Sequence, residues 1–175
     1  MGIRILIDNK KDRGLVSEWG FCVYIEKGNK KILLDTGASN KYLINANKLG
    51  IDISDVDYAV LSHSHIDHSG GYDSFFKVNS KAKLYISKNS TSQCYCKIGF
   101  LKFNVGIPQN ILDNYKDRIV YVNGLYELTD NIYIMEHLKR DYKNKLLLKK
   151  VNNKYVYDDF SHEQNLIIDT MKGLV

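Results

Sequence analysis

Three of the five histidines in this 175-residue chain lie within one six-residue segment, 63–68, whose sequence is HSHIDH. The segment directly follows the short apolar run 58–61, which is typical of a strand buried on both faces. In an extended segment the side-chain period is two, so His63 and His65 point the same way and can bind one metal ion. Asp67 and His68 follow the bend and can face a second ion. Imidazole and carboxylate ligands together suit zinc, iron or manganese.

The surrounding sequence predicts alternating strands and helices. An Asn40-capped helix should end near Gly50, and a second, short helix is expected at 111–115. Residues 88–117 show no clean period apart from that helix. Besides 58–61, strands are predicted at 3–7, 21–25, 31–34, 83–87, 119–122, 132–135, 145–148 and 164–169, with turns at 28–29, 152–153 and 172–173.

Composition limits the class of protein. With 44% hydrophobic residues, the chain can bury one core, so a single domain over 1–175 is expected. No apolar run approaches the ~20 residues that cross a bilayer, so no membrane partner is predicted. Three cysteines without a recognisable secretion signal predict a reducing, cytoplasmic location. Cys94 and Cys96 form no complete thiolate zinc motif and are interpreted as structural or incidental.

The formal net charge is +5, from 25 basic and 20 acidic residues. The densest basic stretch contains Lys139, Arg140 and Lys143 and continues to Lys154; it is interpreted as a solvated face, with an anion-binding patch as the alternative. Basic residues are otherwise spread along the chain, which disfavours nucleic acid as a partner. His137 stands apart from the other histidines and is expected in a surface loop.

The segment 61–71, LSHSHIDHSGG, resembles the H-x-H-x-D-H motif of the metallo-β-lactamase-fold metal-dependent hydrolases. The segment 32–37, ILLDTG, is similar to the strand and turn that precede this motif in the family. The run 158–164, DDFSHEQ, resembles one branch, the dihydropterin-ribofuranosylaminobenzene phosphate synthase-like proteins. This resemblance implies an α/β fold, the αββα sandwich in which two facing sheets are covered by helices.

The resemblance also implies a set of site residues. His63 and His65 would hold a first metal ion, and Asp67 and His68 a second. Two zinc ions are the expected cofactors, with iron or manganese as alternatives. The implied activity is hydrolysis of a small-molecule substrate by a metal-activated water, and a phosphate-containing compound is one candidate for that substrate.

Three further residues carry predicted or open roles. Asp35 would orient a ligand histidine through a hydrogen bond. Asp67 and His162 are the candidate catalytic residues, but His162 could equally be a metal ligand, a substrate contact or a structural histidine bonded to backbone. Asp35-Thr36-Gly37 also matches the aspartic-protease motif; since it occurs once, that activity would require a homodimer.

The resemblance implies further metal ligands in the C-terminal part of the family pattern. That part is not found in the sequence up to Val175. The chain therefore corresponds to the N-terminal two-thirds of the family fold, and its sandwich is expected to be truncated. An incomplete metal site and self-association through an uncovered sheet are the consequences expected. Two alternatives to a hydrolase follow: an iron-dependent redox enzyme of the same fold, or a catalytically incomplete metal-binding fragment.

Overall fold

The computed structural model describes residues 1–12, 14–136 and 144–175. His137 and the basic residues Lys139, Arg140 and Lys143 lie outside this part of the chain. Among the described residues, no helix has both the length and the apolar composition needed to cross a bilayer.

Fourteen strands and four α-helices make up the regular structure of the described residues. In chain order, the strands are β1 (Gly2–Ile7), β2 (Cys22–Lys27), β3 (Lys30–Leu34), β4 (Tyr58–Val60), β5 (Lys83–Ser87), β6 (Cys94–Ile98), β7 (Leu101–Asn104), β8 (Ile119–Val122), β9 (Leu125–Thr129), β10 (Ile132–Glu136), β11 (Leu147–Val151), β12 (Lys154–Tyr157), β13 (Gln164–Thr170) and β14 (Gly173–Leu174). The helices are α1 (Lys41–Lys48), α2 (Ile66–Ser69), α3 (Tyr72–Val78) and α4 (Gln109–Asn114). Two 3₁₀ turns cover Ile53–Asp55 and Lys116–Arg118.

The first sheet has six strands in the order β1-β2-β3-β4-β5-β8. β1, β2 and β3 are antiparallel neighbours, whereas β3, β4, β5 and β8 run parallel. Helices connect the parallel strands, as such crossovers require. The apolar run that precedes the histidines forms β4, between two parallel neighbours, so the histidine segment leaves the carboxyl edge of this sheet.

Both faces of the first sheet are buried at its central strands, whereas its edge strands β1 and β8 are partly exposed. On one face, the aromatic residues Tyr42, Tyr72 and Phe75 of α1 and α3 belong to a fully buried apolar cluster. The other face packs against a second sheet, of order β14-β13-β10-β9, through an apolar cluster that includes Val60 and Ile134. A third sheet, of order β12-β11-β6-β7, completes the fold. The predicted α/β class is confirmed.

The structure differs from the sequence-based assignment in the middle of the chain. Residues 94–104 form the β6–β7 hairpin, for which no element was predicted, and the helix α3 was also missed. The hairpin strands have only five and four residues, too few to establish a period. The strand predicted at 145–148 is β11 at Leu147–Val151.

Gln164 joins the second sheet to the carboxyl edge of the first. This buried side chain donates to the carbonyl oxygens of Leu61, at 2.8 Å, and Tyr85, at 3.0 Å. Its backbone N–H donates to the carbonyl of Ser62, at 2.8 Å. Gln164 therefore fixes the start of the histidine segment relative to β13.

Replacing this amide by an apolar side chain should destabilise the protein. In Gln164→Leu, with nearly conserved volume, the buried Leu61 carbonyl loses its side-chain partner, so we expect the free energy of unfolding to fall by about 1–3 kcal/mol in urea denaturation. Asn165→Leu, at the exposed neighbouring position, is the control and should change it by less than about 0.5 kcal/mol. Equal stabilities of the two variants would contradict this role of Gln164.

Candidate metal centre

Asp35 anchors the start of the histidine segment from the end of β3. Its carboxylate is buried, and its Oδ1 accepts from the backbone N–H of Ser62 at 2.7 Å. Oδ2 accepts from the Ser62 hydroxyl at 2.6 Å and lies 2.7 Å from Nδ1 of His68. The backbone of Asp35 has a φ of 59°, in the left-handed region that Asp tolerates better than most residues. The unusual conformation turns the carboxylate towards the segment.

These contacts determine which ring nitrogens carry protons. A carboxylate only accepts, so both His68 Nδ1 and the Ser62 hydroxyl must donate to Asp35. Ser62 Oγ, 3.0 Å from Nδ1 of His63, has then used its single proton and accepts from that nitrogen. Both imidazoles, of His63 and His68, therefore have Nδ1–H and leave Nε2 free to bind a metal ion.

His63, Asp67 and His68 form a partly exposed group whose candidate ligand atoms lie within 4.8 Å of one another. The rings of His63 and His68 have centroids 4.1 Å apart, and Nε2 of His68 is 3.7 Å from Oδ2 of Asp67. Two imidazoles and a carboxylate at this spacing are a suitable donor set for a divalent cation.

The electrostatic environment favours a neutral imidazole at His63. Burial, together with the neighbouring charges of His68, His65 and His162, lowers the pKa of His63 to about 2. At His68, burial also opposes protonation, but the hydrogen bond to Asp35 and its charge outweigh burial and raise the pKa. At neutral pH, His63 thus has the unprotonated form that metal binding requires.

The turn after the histidines packs directly onto the loop that follows β3. A Cβ atom at Gly70 would lie 2.2 Å from the carbonyl oxygen of Ala38, and one at Gly71 would lie 2.5 Å from that of Ser39. The backbone N–H of Thr36 donates to the carbonyl of His68 at 2.9 Å. Only glycine allows this close approach, which holds α2 against the loop.

A second, buried group adjoins the first: His65, Cys94, Asp158 and His162 have candidate ligand atoms within 4.8 Å of one another. Oδ2 of Asp158 lies 3.2 Å from Nε2 of His65 and 3.1 Å from Nε2 of His162. The Cys94 sulfur is 3.8 Å from the same nitrogen of His162. Nδ1 of His162 accepts from the backbone N–H of Ser64 at 3.1 Å.

The loop between β12 and β13 holds Asp158 in place. Oδ1 of Asp158 accepts a hydrogen bond from the backbone N–H of Phe160, a residue whose φ is 54°. The ring of Phe160 packs edge-on against that of His65, with the ring centroids 5.3 Å apart. Burial alone would raise the pKa of Asp158, but hydrogen bonds from His162 and His65 lower it well below its usual range. Burial and the charge of Asp158 raise the pKa of the Cys94 thiol to about 12.

The structure divides the four predicted ligands between two adjoining groups: His63, Asp67 and His68 lie in the partly exposed group, and His65 lies in the buried group. The ring of His63 lies between those of His65 and His68, with centroid distances of 4.8 Å and 4.1 Å, and Asp67 adjoins His68. Asp35 contacts His68 and Ser62 and is buried among these partners, away from solvent.

The sequence alone indicates no functional role for two residues of the buried group. Cys94 is interpreted there as structural or incidental, and Asp158 enters only as part of the run 158–164. The spacing of Asp158 and His162, four residues apart before a strand, was the available signal. His162 lies in the buried group, with its ring centroid 6.2 Å from that of His63.

Comparison with known proteins identifies the family of this chain. The family model of the metallo-beta-lactamase superfamily matches residues 20–164. An uncharacterised protein of Methanocaldococcus jannaschii is 26% identical over 142 residues, covering 81% of this chain and 55% of the relative. The 7,8-dihydropterin-6-methyl-4-(beta-D-ribofuranosyl)-aminobenzene-5'-phosphate synthase of the same organism is 26% identical over 172 residues, covering 89% of this chain and 58% of the relative. The chain thus spans little more than half the length of these curated relatives.

A solved structure shows the same arrangement of elements. The crystal structure of Tm1679, a metal-dependent hydrolase of the beta-lactamase superfamily, superposes with a TM-score of 0.79 and 27% identity over 98% of this chain and 62% of that one. A quorum-quenching N-acyl homoserine lactone lactonase shares the fold, with a TM-score of 0.57 and 18% identity over 88% of this chain and 57% of that one. The chain has the metallo-β-lactamase fold and belongs to the metallo-beta-lactamase superfamily.

Proposed function

We propose that this protein is a metal-dependent hydrolase in which His63, His65, Asp67 and His68 bind the metal. The observation that carries the proposal is the partly exposed group His63, Asp67 and His68, whose donor atoms converge within 4.8 Å. The low pKa of His63 suits it to the role, because a protonated imidazole cannot bind a cation. Zinc is the expected metal, and two ions are expected when all ligands of the site are present.

A bound metal ion would lower the pKa of a water molecule and so supply a nucleophile at neutral pH. Residues of this chain would orient the histidines that bind the ion. Asp35 accepts a hydrogen bond from Nδ1–H of His68, and Ser62 accepts one from Nδ1–H of His63. Nε2 of each ring is therefore available to bind the metal ion. Asp67, with a quarter of its side chain exposed, is the ligand best placed to accept a hydrogen bond from a reacting water.

A small molecule that contains a phosphate is the proposed substrate. The support is the likeness to the Methanocaldococcus jannaschii synthase, whose product name includes a 5'-phosphate. The partly exposed positions of His63, Asp67 and His68 provide access from solvent. Hydrolysis of phosphomonoester, phosphodiester and ester probes would define the substrate class.

Removing the two histidines of the H-x-H pair should abolish metal binding and hydrolysis together. We expect His63→Ala/His65→Ala, purified without added metal, to lack the ion that elemental analysis finds in the wild type. Metal-restored hydrolysis of the same probes should also be lost, because the site loses half of its proposed ligands.

Asp55→Asn serves as the control, since Asp55 is an exposed carboxylate that pairs with Lys31 far from the histidines. It should retain both metal and activity. Full hydrolysis by the metal-free double variant would contradict the proposed function. An ion identified as iron, with oxygen-dependent turnover in place of hydrolysis, would contradict it equally.

Asp35 should contribute to metal affinity without touching the metal. In Asp35→Asn, an amide N–H can face His68 Nδ1 and force that ring to move its proton to Nε2, the nitrogen needed by the metal. We expect the Kd for Zn²⁺ to rise about 10–100-fold in calorimetric titration. Asn tolerates the left-handed backbone, so the variant should fold, which circular dichroism checks. An unchanged Kd in the folded variant would exclude this role.

A further inference from the structure

The buried group of His65, Cys94, Asp158 and His162 has two physical interpretations. Its donor atoms are spaced like the ligands of a closed tetrahedral zinc site, and all four side chains are buried. The same spacings, 3.2 Å and 3.1 Å from Asp158 Oδ2 to the two histidines, also suit hydrogen bonds. The positions of the protons distinguish a metal site from a hydrogen-bond network.

The backbone N–H of Ser64 decides the state of His162. A backbone amide can only donate, so Nδ1 of His162, 3.1 Å away, must accept and has no proton. A neutral imidazole has one N–H, which is then on Nε2. Nε2 could bind a metal only as an imidazolate, whereas in the observed arrangement it donates directly to Asp158. The geometry therefore favours a hydrogen-bond network at His162.

Asp158 passes the same constraint to His65. Oδ2 of Asp158 accepts a hydrogen bond from His162 and lies 3.2 Å from Nε2 of His65. If this nitrogen had no proton, its lone pair would face a lone pair of the oxygen, and the two atoms would repel each other. Nε2 of His65 must accordingly have the proton, which leaves Nδ1 as the unprotonated nitrogen. The remaining oxygen of Asp158 is occupied by the backbone N–H of Phe160.

We infer that Asp158 and His162 are positioning residues that fix His65 in its Nε2–H tautomer, so that Nδ1 of His65 is its metal-binding nitrogen. The chain of bonds runs from Ser64 N–H to His162, from His162 to Asp158, and from His65 to Asp158. His162 is in this account neither a metal ligand nor a catalytic base. The part concerning metal rests on the proposed function, whereas the tautomer of His65 is a property of the protein alone.

Burial makes this network effective. Asp158 and His162 are 0% and 1% exposed, so water does not compete for their hydrogen bonds, which are stronger in such surroundings. By contrast, the neighbouring carboxylate of Asp159 is 59% exposed and pairs with Lys149. Two adjacent aspartates thus provide a buried test position and a matched exposed control.

The first experiment measures the tautomer in the metal-free wild type by ¹⁵N NMR of histidine-labelled protein. The resonances of His65 are assigned from the spectrum of His65→Asn. We expect His65 and His162 as Nε2–H tautomers, and His63 as the opposite, Nδ1–H tautomer. A His65 ring that is predominantly Nδ1–H overturns the inference, whether or not the protein binds metal.

The second experiment compares two replacements of His162. The amide of Gln can accept from Ser64 N–H and donate to Asp158, so His162→Gln should keep the wild-type Kd for Zn²⁺ in calorimetric titration. Leu can form neither bond, and His162→Leu should raise this Kd about 10–100-fold. If Gln weakens binding as much as Leu does, His162 acts as a ligand and the inference is wrong.

The third experiment uses the aspartate pair. Asp158→Asn should raise the Kd for Zn²⁺ about 10–100-fold and give His65 a detectable Nδ1–H population, whereas Asp159→Asn should change neither. Equal effects of the two substitutions, in folded protein, would overturn the inference.

Co²⁺ then tests the competing zinc-like site directly. The network predicts no sulfur-to-cobalt charge-transfer absorption, because Cys94 remains a thiol, and Cys94→Ser should keep the wild-type metal affinity. A charge-transfer band that disappears in Cys94→Ser would establish a metal site in the buried group and overturn the network. Failure of the proposed function would look different, as Zn²⁺ would not bind although the NMR spectra show the predicted tautomers.

Discussion

The carboxylate of Asp35 makes the contacts on which the histidine segment depends. It stands at the end of β3, beside the strand from which the histidine segment leaves, and both of its oxygens are bonded to that segment. A left-handed backbone costs on the order of 1 kcal/mol for a residue that is not glycine. Charge-assisted hydrogen bonds offset that cost, and without them neither Ser62 nor His68 would have a defined orientation.

Much of the first sheet could be predicted from the sequence because its strands are buried and apolar. The run 58–61 and the hairpin turn at 28–29 gave nearly correct positions for β4, β2 and β3. The third sheet could not be predicted in the same way. The five-residue strand β6 pairs on one side with β7 and on the other with β11, which is distant along the chain and whose sequence gives no sign of this partner.

The site shows the same division between local and distant information. His63, His65, Asp67 and His68 lie within six residues, so their spacing alone is enough to predict a metal locus. The neighbours of His65 in the buried group could not be found in that way, since Cys94 begins β6, Asp158 follows β12, and neither belongs to a recognisable ligand motif. A hydrogen-bond network has no fixed sequence spacing, because its members need only the right atoms at the right distance.

The long separation between His65 and its carboxylate has a consequence for how the protein is made. Asp35 and His68 are 33 residues apart, whereas His65 and Asp158 are 93 apart. Contacts between distant residues require a larger loop to close, and chains emerge from the ribosome N-terminus first. The loop with the histidines can therefore fold on a nascent chain that does not yet contain Asp158. During that interval the carboxylate that we infer to select the tautomer of His65 is absent, so the ring could present either nitrogen to a metal ion.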